Sequence, residues 1–409
     1  MRSRLFAVFG LAGLLLAALL ISNPAGAEPR PGAAVASHSN EIRAALRFGT
    51  ALAADAAGSS TPGSGPAAPV PVARGLNNPR QLDVTSEGVL IIAESGTGGD
   101  ACAVVEDDEV CVGTTAAVSA VLEPSLVSGV TALPIVTGLL SEAGPSGASA
   151  TGNDGASARS LNRIHIAKDV DVPEGITGLP EEQEGKLLKA IAQTPATVLA
   201  DIRAFETAND PDGQGVESNP YAALDLGNQV LVADAAGNSI LSVNRSGQIR
   251  LFAVLPNISG GACDTRPNQG GFFCDPVPTS LTFSRDGDII VAALGSLVPG
   301  AGRVFELDRR SGDIQNTWTG FNGVTGAAQD SAGNLYVSEL FGSGANVPGR
   351  VVLVPRNGPR ASLAVPFPAG LVTDRKNNVY VSAYSLSTGA GTGAPDTDGQ
   401  VWRLTRKSF

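Results

Sequence analysis

One hairpin, repeated, constrains this chain more than any other feature. A short apolar strand, a turn rich in Asp, Asn and Gly, and a second, alternating strand occur at Leu82–Val84 with Leu90–Glu94, and at Leu281–Phe283 with Ile289–Ala292. They occur again at Gly326–Ala328 with Leu335–Glu339, and at Gly370–Val372 with Val379–Ser382. The turn residues between them supply the backbone angles that a twisted antiparallel pair demands. Val291 to Val337 spans 46 residues and Val337 to Val381 spans 44, close to the period of a four-stranded propeller blade. Val232, within Gln229–Asp234, lies 59 residues before Val291, the excess being a cysteine loop. The 140 residues from Ile92 to Val232 are too many for one blade. A degenerate second blade is therefore placed around Leu161–Ile166, Lys186–Leu188 and Val198–Ala200. The expected fold is an all-β, six-bladed β-propeller over residues 70–409.

The two ends of the repeat complement each other. After the last hairpin only Gln400–Leu404 remains, which leaves that sheet one strand short. Val70–Arg74 precedes the first unit without a partner of its own. Pairing the strand near Val72 with the last blade beside Trp402 closes the ring and removes an exposed sheet edge.

Residues 1–27 read as an export signal. Arg2 and Arg4 precede the apolar run Leu5–Ile21, and Ala25-Gly26-Ala27 forms a small-x-small cleavage site. Residues 28–69, rich in Ala, Pro, Ser and Gly, read as a flexible tether, with one short helical candidate over Asn40–Ala54. The expected location is secreted or extracytoplasmic, with no membrane span after signal removal. The net charge of -11 becomes about -13 without the two signal arginines. That excess disfavours nucleic acid, whose binding rests on Lys and Arg against phosphate.

The four cysteines fall into two local pairs, Cys102 with Cys111 and Cys263 with Cys274. In an oxidising compartment this reads as two disulfides, each closing a surface loop, although four cysteines allow three connectivities. Neither loop holds the histidines or the close spacing of a zinc site.

Several phrases occur in order along the repeat: Gly75–Arg80, Thr207–Gly213, Glu217–Tyr221, Val232–Asn238 and Val277–Ser280. Together they resemble the ScyD/ScyE family of exported bacterial β-propeller proteins. The resemblance covers most of residues 70–409 and implies a six-bladed propeller in an exported location. It brings no reaction with it. Two departures are the long stretch Gly144–Ile166 and the absence of an acid at Ala293.

Candidate chemistry is acidic. Glu94, Asp234 and Glu339 occupy equivalent positions, two residues past the same strand Ile or Val. Three acids converging on one face would suit a divalent cation; alternatively each caps its own blade's turn by accepting backbone N–H groups, the commoner arrangement. Asn209-Asp210-Pro211-Asp212-Gly213, with Glu217 following, has the oxygen-rich character of a calcium loop without EF-hand spacing. Asn219 and Tyr221 open the third blade's inner strand and are candidates for the channel. No Gly-x-Ser-x-Gly elbow or phosphate loop is present. The histidines are His38, in the tether, and His165, on an expected strand. The expected function is an exported binding or scaffold protein for a small molecule or protein. The alternative is a calcium-dependent, lactonase-like hydrolase using Glu94, Asp234, Glu339 and Asn219 at the channel face.

Overall fold

The computed structural model describes residues 67–105, 108–342, 347–391 and 396–409. The signal segment 1–27, the helical candidate Asn40–Ala54 and the tether as far as residue 66 lie outside the described residues. So do Glu106 and Asp107 of the first cysteine loop.

The chain is a β-propeller. Six antiparallel sheets follow one another, each entered by an inner strand: Pro79–Val84, Asn153–Ser160, Pro220–Asp225, Pro278–Phe283, Val324–Gln329 and Leu371–Thr373. Each inner strand packs on the next, and the last returns to the first. The second strand of most sheets is a largely apolar run buried on both sides, as in Leu90-Ile91-Ile92-Ala93, whereas that of the second sheet, Arg163–Lys168, also buries His165 and Lys168. Alternation then divides the run between two cores. Ile91 and Ala93 face the second sheet with Ile164, Ile166 and Leu188. Leu90 and Ile92 face the sixth with Val72, Tyr380 and Val401. Equivalent apolar layers fill the other four gaps, each fully buried Ile, Leu or Val contributing about 1.5–3 kcal/mol.

Ring closure follows the expected strand pairing. Val70–Leu76 completes the sixth sheet against Gly399–Leu404, with Pro71 opposite Trp402 and Ala73 opposite Val401. Val130–Thr131 adds a short parallel contact at its outer edge.

The turn between inner and second strands is stapled by one polar side chain. Asp330 accepts the Asn334 N–H (2.9 Å), its side-chain amide (2.8 Å) and the Tyr336 hydroxyl (3.2 Å). Asp374 repeats this set with Asn378 and Tyr380 at 2.9, 2.7 and 3.1 Å. Close approach of inner strands requires glycine at two points. A Cβ on Gly155 would lie 2.4 Å from the Tyr221 carbonyl oxygen, and one on Gly370 would lie 2.4 Å from that of Arg80.

The second sheet contains the three strands expected, as Arg163–Lys168, Lys186–Ala190 and Thr197–Asp201, together with the small, polar inner strand Asn153–Ser160. Both local disulfides form. The first differs from a simple surface loop. Cys102 and Cys111 face each other across a hairpin, Ala101–Val105 against the start of the long strand Asp108–Val121. The rest of that strand continues the first sheet beside Leu90–Glu94. Cys263–Cys274 closes the excursion between the third and fourth sheets over a small core of Ile258, Val298 and Ala301. Among the described residues no helix is long and apolar enough to cross a membrane.

Candidate functional site

The channel candidates are placed apart. Antiparallel connectivity puts the loops after each second strand and before each inner strand at one end of the ring, here called the loop face. Each of the three equivalent acids turns into its own sheet's entry there. Glu94 accepts the Asn77 N–H at 2.7 Å and the Ser119 hydroxyl. Glu339 accepts the Asn322 N–H at 3.0 Å and pairs with Arg350. Asp234 accepts the Asn219 N–H at 2.6 Å and the Ser218 hydroxyl at 2.7 Å. These are backbone caps, and the shared cation site expected as one reading is not assembled. Burial raises Asp234 to about 6, partly offset by those hydrogen bonds. Asn219 and Tyr221 are buried, Tyr221 within the core between third and fourth sheets. Arg80, on the first inner strand and 1% exposed, reaches across with its guanidinium to Asp154 (3.2 Å) and the carbonyls of Ser385 and Ala150, tying the first sheet to its two neighbours. Of the four residues of the hydrolase alternative, Asp234 and Asn219 are neighbours, while Glu94 and Glu339 each cap a different sheet, and the three acids form no shared ligand cluster among the described residues.

A different acidic group does converge. The helix Ile202–Asn209 leaves the second sheet and crosses toward the third. Asp201 caps it by accepting the Ala204 N–H at 2.9 Å. The free N–H groups of Ile202 and Arg203 donate to the Gly185 carbonyl at 3.1 and 3.0 Å. Arg203 anchors the helix to Asp169 (2.9 Å) and Asp171. Ile202 and Glu206, one turn apart and so on one face, are its buried residues. Ile202 belongs to the core, but Glu206 carries a carboxyl group into the protein.

Asp210 ends the helix in the left-handed region, with φ of 40°, a conformation that Asp tolerates better than most residues. The chain therefore turns back, and Asp210 and Asp212 meet Glu206. One ligand oxygen from each lies within 4.8 Å of the others. Asp210 accepts the Gly215 N–H at 3.2 Å. Asp212 accepts the Gln214 N–H at 2.9 Å and the Asn238 amide at 2.9 Å. Both oxygens of Glu206 are buried without a hydrogen-bond partner. Gly237 makes the space for them: a Cβ there would lie 2.8 Å from Glu206 Oε2 and 3.3 Å from the Glu217 carbonyl oxygen.

Burial first, then the neighbouring Asp234, Asp212, Asp210 and Glu217, raises Glu206 to about 9. Burial likewise raises Asp212 and Glu217. Two like charges 4 Å apart cost about 4 kcal/mol at an effective dielectric near 20. A cation would convert that repulsion to attraction. The donors are all oxygen, which suits calcium, a taker of 6–8 oxygens at irregular geometry, rather than zinc or copper. Glu206, Asp210 and Asp212 each place one oxygen in the set, leaving the remaining positions for carbonyl or water.

Two of the three expected metal residues, Asp210 and Asp212, thus lie together. The third carboxylate of this cluster is that of Glu206, which the helix carries inward; Glu217 is not one of its members. The signal available in the sequence was the spacing Glu206-x-x-x-Asp210-x-Asp212, which a short helix with a left-handed end folds into one cluster.

No protein-family model matches the chain, and no curated protein sequence matches it. Among solved structures, it is similar to a calcium-binding protein, regucalcin, from Agrobacterium tumefaciens: 15% identity over 83% of this chain and 93% of that one, with a TM-score of 0.45. It is also similar to the PQQ-bound aldose sugar dehydrogenase of Streptomyces coelicolor, at 10% identity over 81% and 95%, TM-score 0.46. A streptogramin B lyase matches at 10% identity over 82% and 95%, TM-score 0.43. Neighbours this distant differ in chemistry among themselves, and function belongs to the site rather than the fold.

Proposed function

We propose that this protein is an exported binding or scaffold propeller whose loop face is set by a calcium ion held by Glu206, Asp210 and Asp212. The carrying observation is the Glu206 carboxylate, buried with both oxygens unpartnered beside two further acids. An isolated buried carboxylate is costly and is ordinarily paired or bound to metal. The ion would tie the helix Ile202–Asn209 to the entry of the third sheet, and so fix the loop face between the second and third sheets. The export signal in residues 1–27 and the two disulfides support an oxidising, extracytoplasmic setting. The ordered phrases from Gly75 to Ser280 support membership of the ScyD/ScyE family. The test is calorimetric titration of calcium into chelator-treated protein, paired with a melting curve. Binding heat and a higher melting temperature are expected; neither heat nor shift would overturn the reading.

A further inference from the structure

The opposite end of the ring carries the turns between first and second, and third and fourth, strands. There, between the second and third sheets, lies an open groove of about 490 Å³. Its charge is the reverse of the protein's. Arg163, Lys189 and Arg245 line it, beside His165, in a chain of net charge -11. One cation is neutralised: Arg163 pairs with the buried Asp225 at 2.8 Å. Burial works against the ionised form of Asp225, but His165, the Gly227 N–H and Arg163 more than offset it and hold the group below its ordinary value.

Two further cations are held by carbonyls rather than carboxylates. Arg245 donates to the Gly227 carbonyl at 3.1 Å, which also accepts from Arg163 at 2.5 Å. Arg309 donates to the Leu226 carbonyl at 3.1 Å. Arg159 flanks the same turn, since a Cβ on Gly227 would lie 3.3 Å from its Nη1. Among the described residues, none of Arg159, Lys189, Arg245 and Arg309 is in an ion pair. A carbonyl orients a guanidinium without cancelling its charge, so the groove keeps a positive field that draws anions. The wall beside these charges is apolar: Ile191, 50% exposed, lines the groove with Pro195 and Leu199.

We propose that this groove binds a small amphiphilic organic anion, its apolar body against Ile191 and Leu199 and its carboxylate or equivalent oxyanion between Lys189 and Arg245. The size falls within the ~300–1,000 Å³ of small-molecule sites. A planar guanidinium suits the two oxygens of a carboxylate. Nothing here depends on calcium at the loop face.

The test uses the disulfide-intact protein and anilinonaphthalene sulfonate, an aromatic anion whose fluorescence reports an apolar site. The neutral phenylnaphthylamine serves as control. One saturable site is expected, with a loss of about tenfold in affinity for each of Lys189→Glu and Arg245→Glu, as for a lost charged hydrogen bond. Both residues are exposed, so the variants should fold, and their melting curves check this. The imidazole resonances of His165 should shift on probe binding; the only other histidine is His38. Decanoate should displace the probe. Equal affinity for the neutral control, unchanged affinity in the double variant, or a silent His165 would overturn the proposal. Displacement by poly-glutamate but not by decanoate would overturn it in favour of an acidic polymer.

Discussion

Replacing Glu206 by Gln separates the cation reading from a merely buried acid. Gln keeps the shape and removes the charge. For a site with Kd of about 10 μM, within the known range of calcium sites, 1 mM free calcium is about 100 Kd and stabilises by about 2.7 kcal/mol. The propeller has about 340 residues, and its melting entropy is about 2.1 cal/mol/K per residue, or about 0.7 kcal/mol/K in all. Calcium should therefore raise the melting temperature of the wild type by about 4 °C. In Glu206→Gln the rise should fall below about 1 °C, because the ligand with two free oxygens is gone. Without calcium, the variant should melt at or above the wild type, since a neutral amide replaces an acid crowded by Asp210, Asp212 and Asp234. Differential scanning calorimetry in chelator and in calcium reads both quantities. A full calcium shift retained in Glu206→Gln would refute the assignment. So would a variant that melts far below the wild type in chelator, because Glu206 would then be contributing through a native contact.

Other consequences can be checked alongside. Glu206 sits near 9 in the folded chain and near its ordinary value when unfolded, so the folded state holds the extra proton. Its stabilising contribution is present at low pH and is lost as pH rises through about 9. The melting temperature in chelator should therefore fall between pH 5 and 9, and calcium should flatten that fall; parallel curves would contradict it. Removing Cys263–Cys274, which spans 11 positions, should cost about 3 kcal/mol by the chain-entropy estimate, read by urea denaturation of the Cys263→Ser, Cys274→Ser double variant, and a loss well under 1 kcal/mol would show that the excursion is held by other contacts. Asp374→Ala leaves the Asn378 amide and Tyr380 hydroxyl without their acceptor and should cost about 1–3 kcal/mol; Asp330→Ala should match it, and a neutral result at either would refute the staple.

Much of the fold is legible because a strand buried on both faces is apolar at most positions. Leu90–Ala93 and Ile289–Ala292 have that pattern, and the turns Glu87-Gly88 and Asp286-Gly287 beside them mark the hairpins. The inner strand Asn153–Ser160 is harder to read. Its Asn, Asp, Gly, Ala and Ser have little strand preference, and it is specified by the crowded approach that only Gly155 permits. The helix Ile202–Asn209 buries only two side chains, too few for a periodic signal. The acids Glu94, Asp234 and Glu339 were visible as an equivalent set, but their partners were not. Equivalence in sequence places each at the same point of its own sheet, which separates them in space. Glu206 was missed for the converse reason: what distinguishes it is the lack of a partner, and that can be seen only in three dimensions.

The pairing of Pro71 with Trp402 joins segments some 330 residues apart. Bringing them together costs about 5 kcal/mol of chain entropy plus a constant, by the (3/2)RT ln n rule. The join is therefore cheapest once the five sheets between are in place and the ends already lie close. A chain made from its N-terminus cannot complete its ring before the final strand exists. The architecture thus carries its own delay. Until Gly399–Leu404 is in place, Val70–Leu76 has no strand to pair with and the ring stays open.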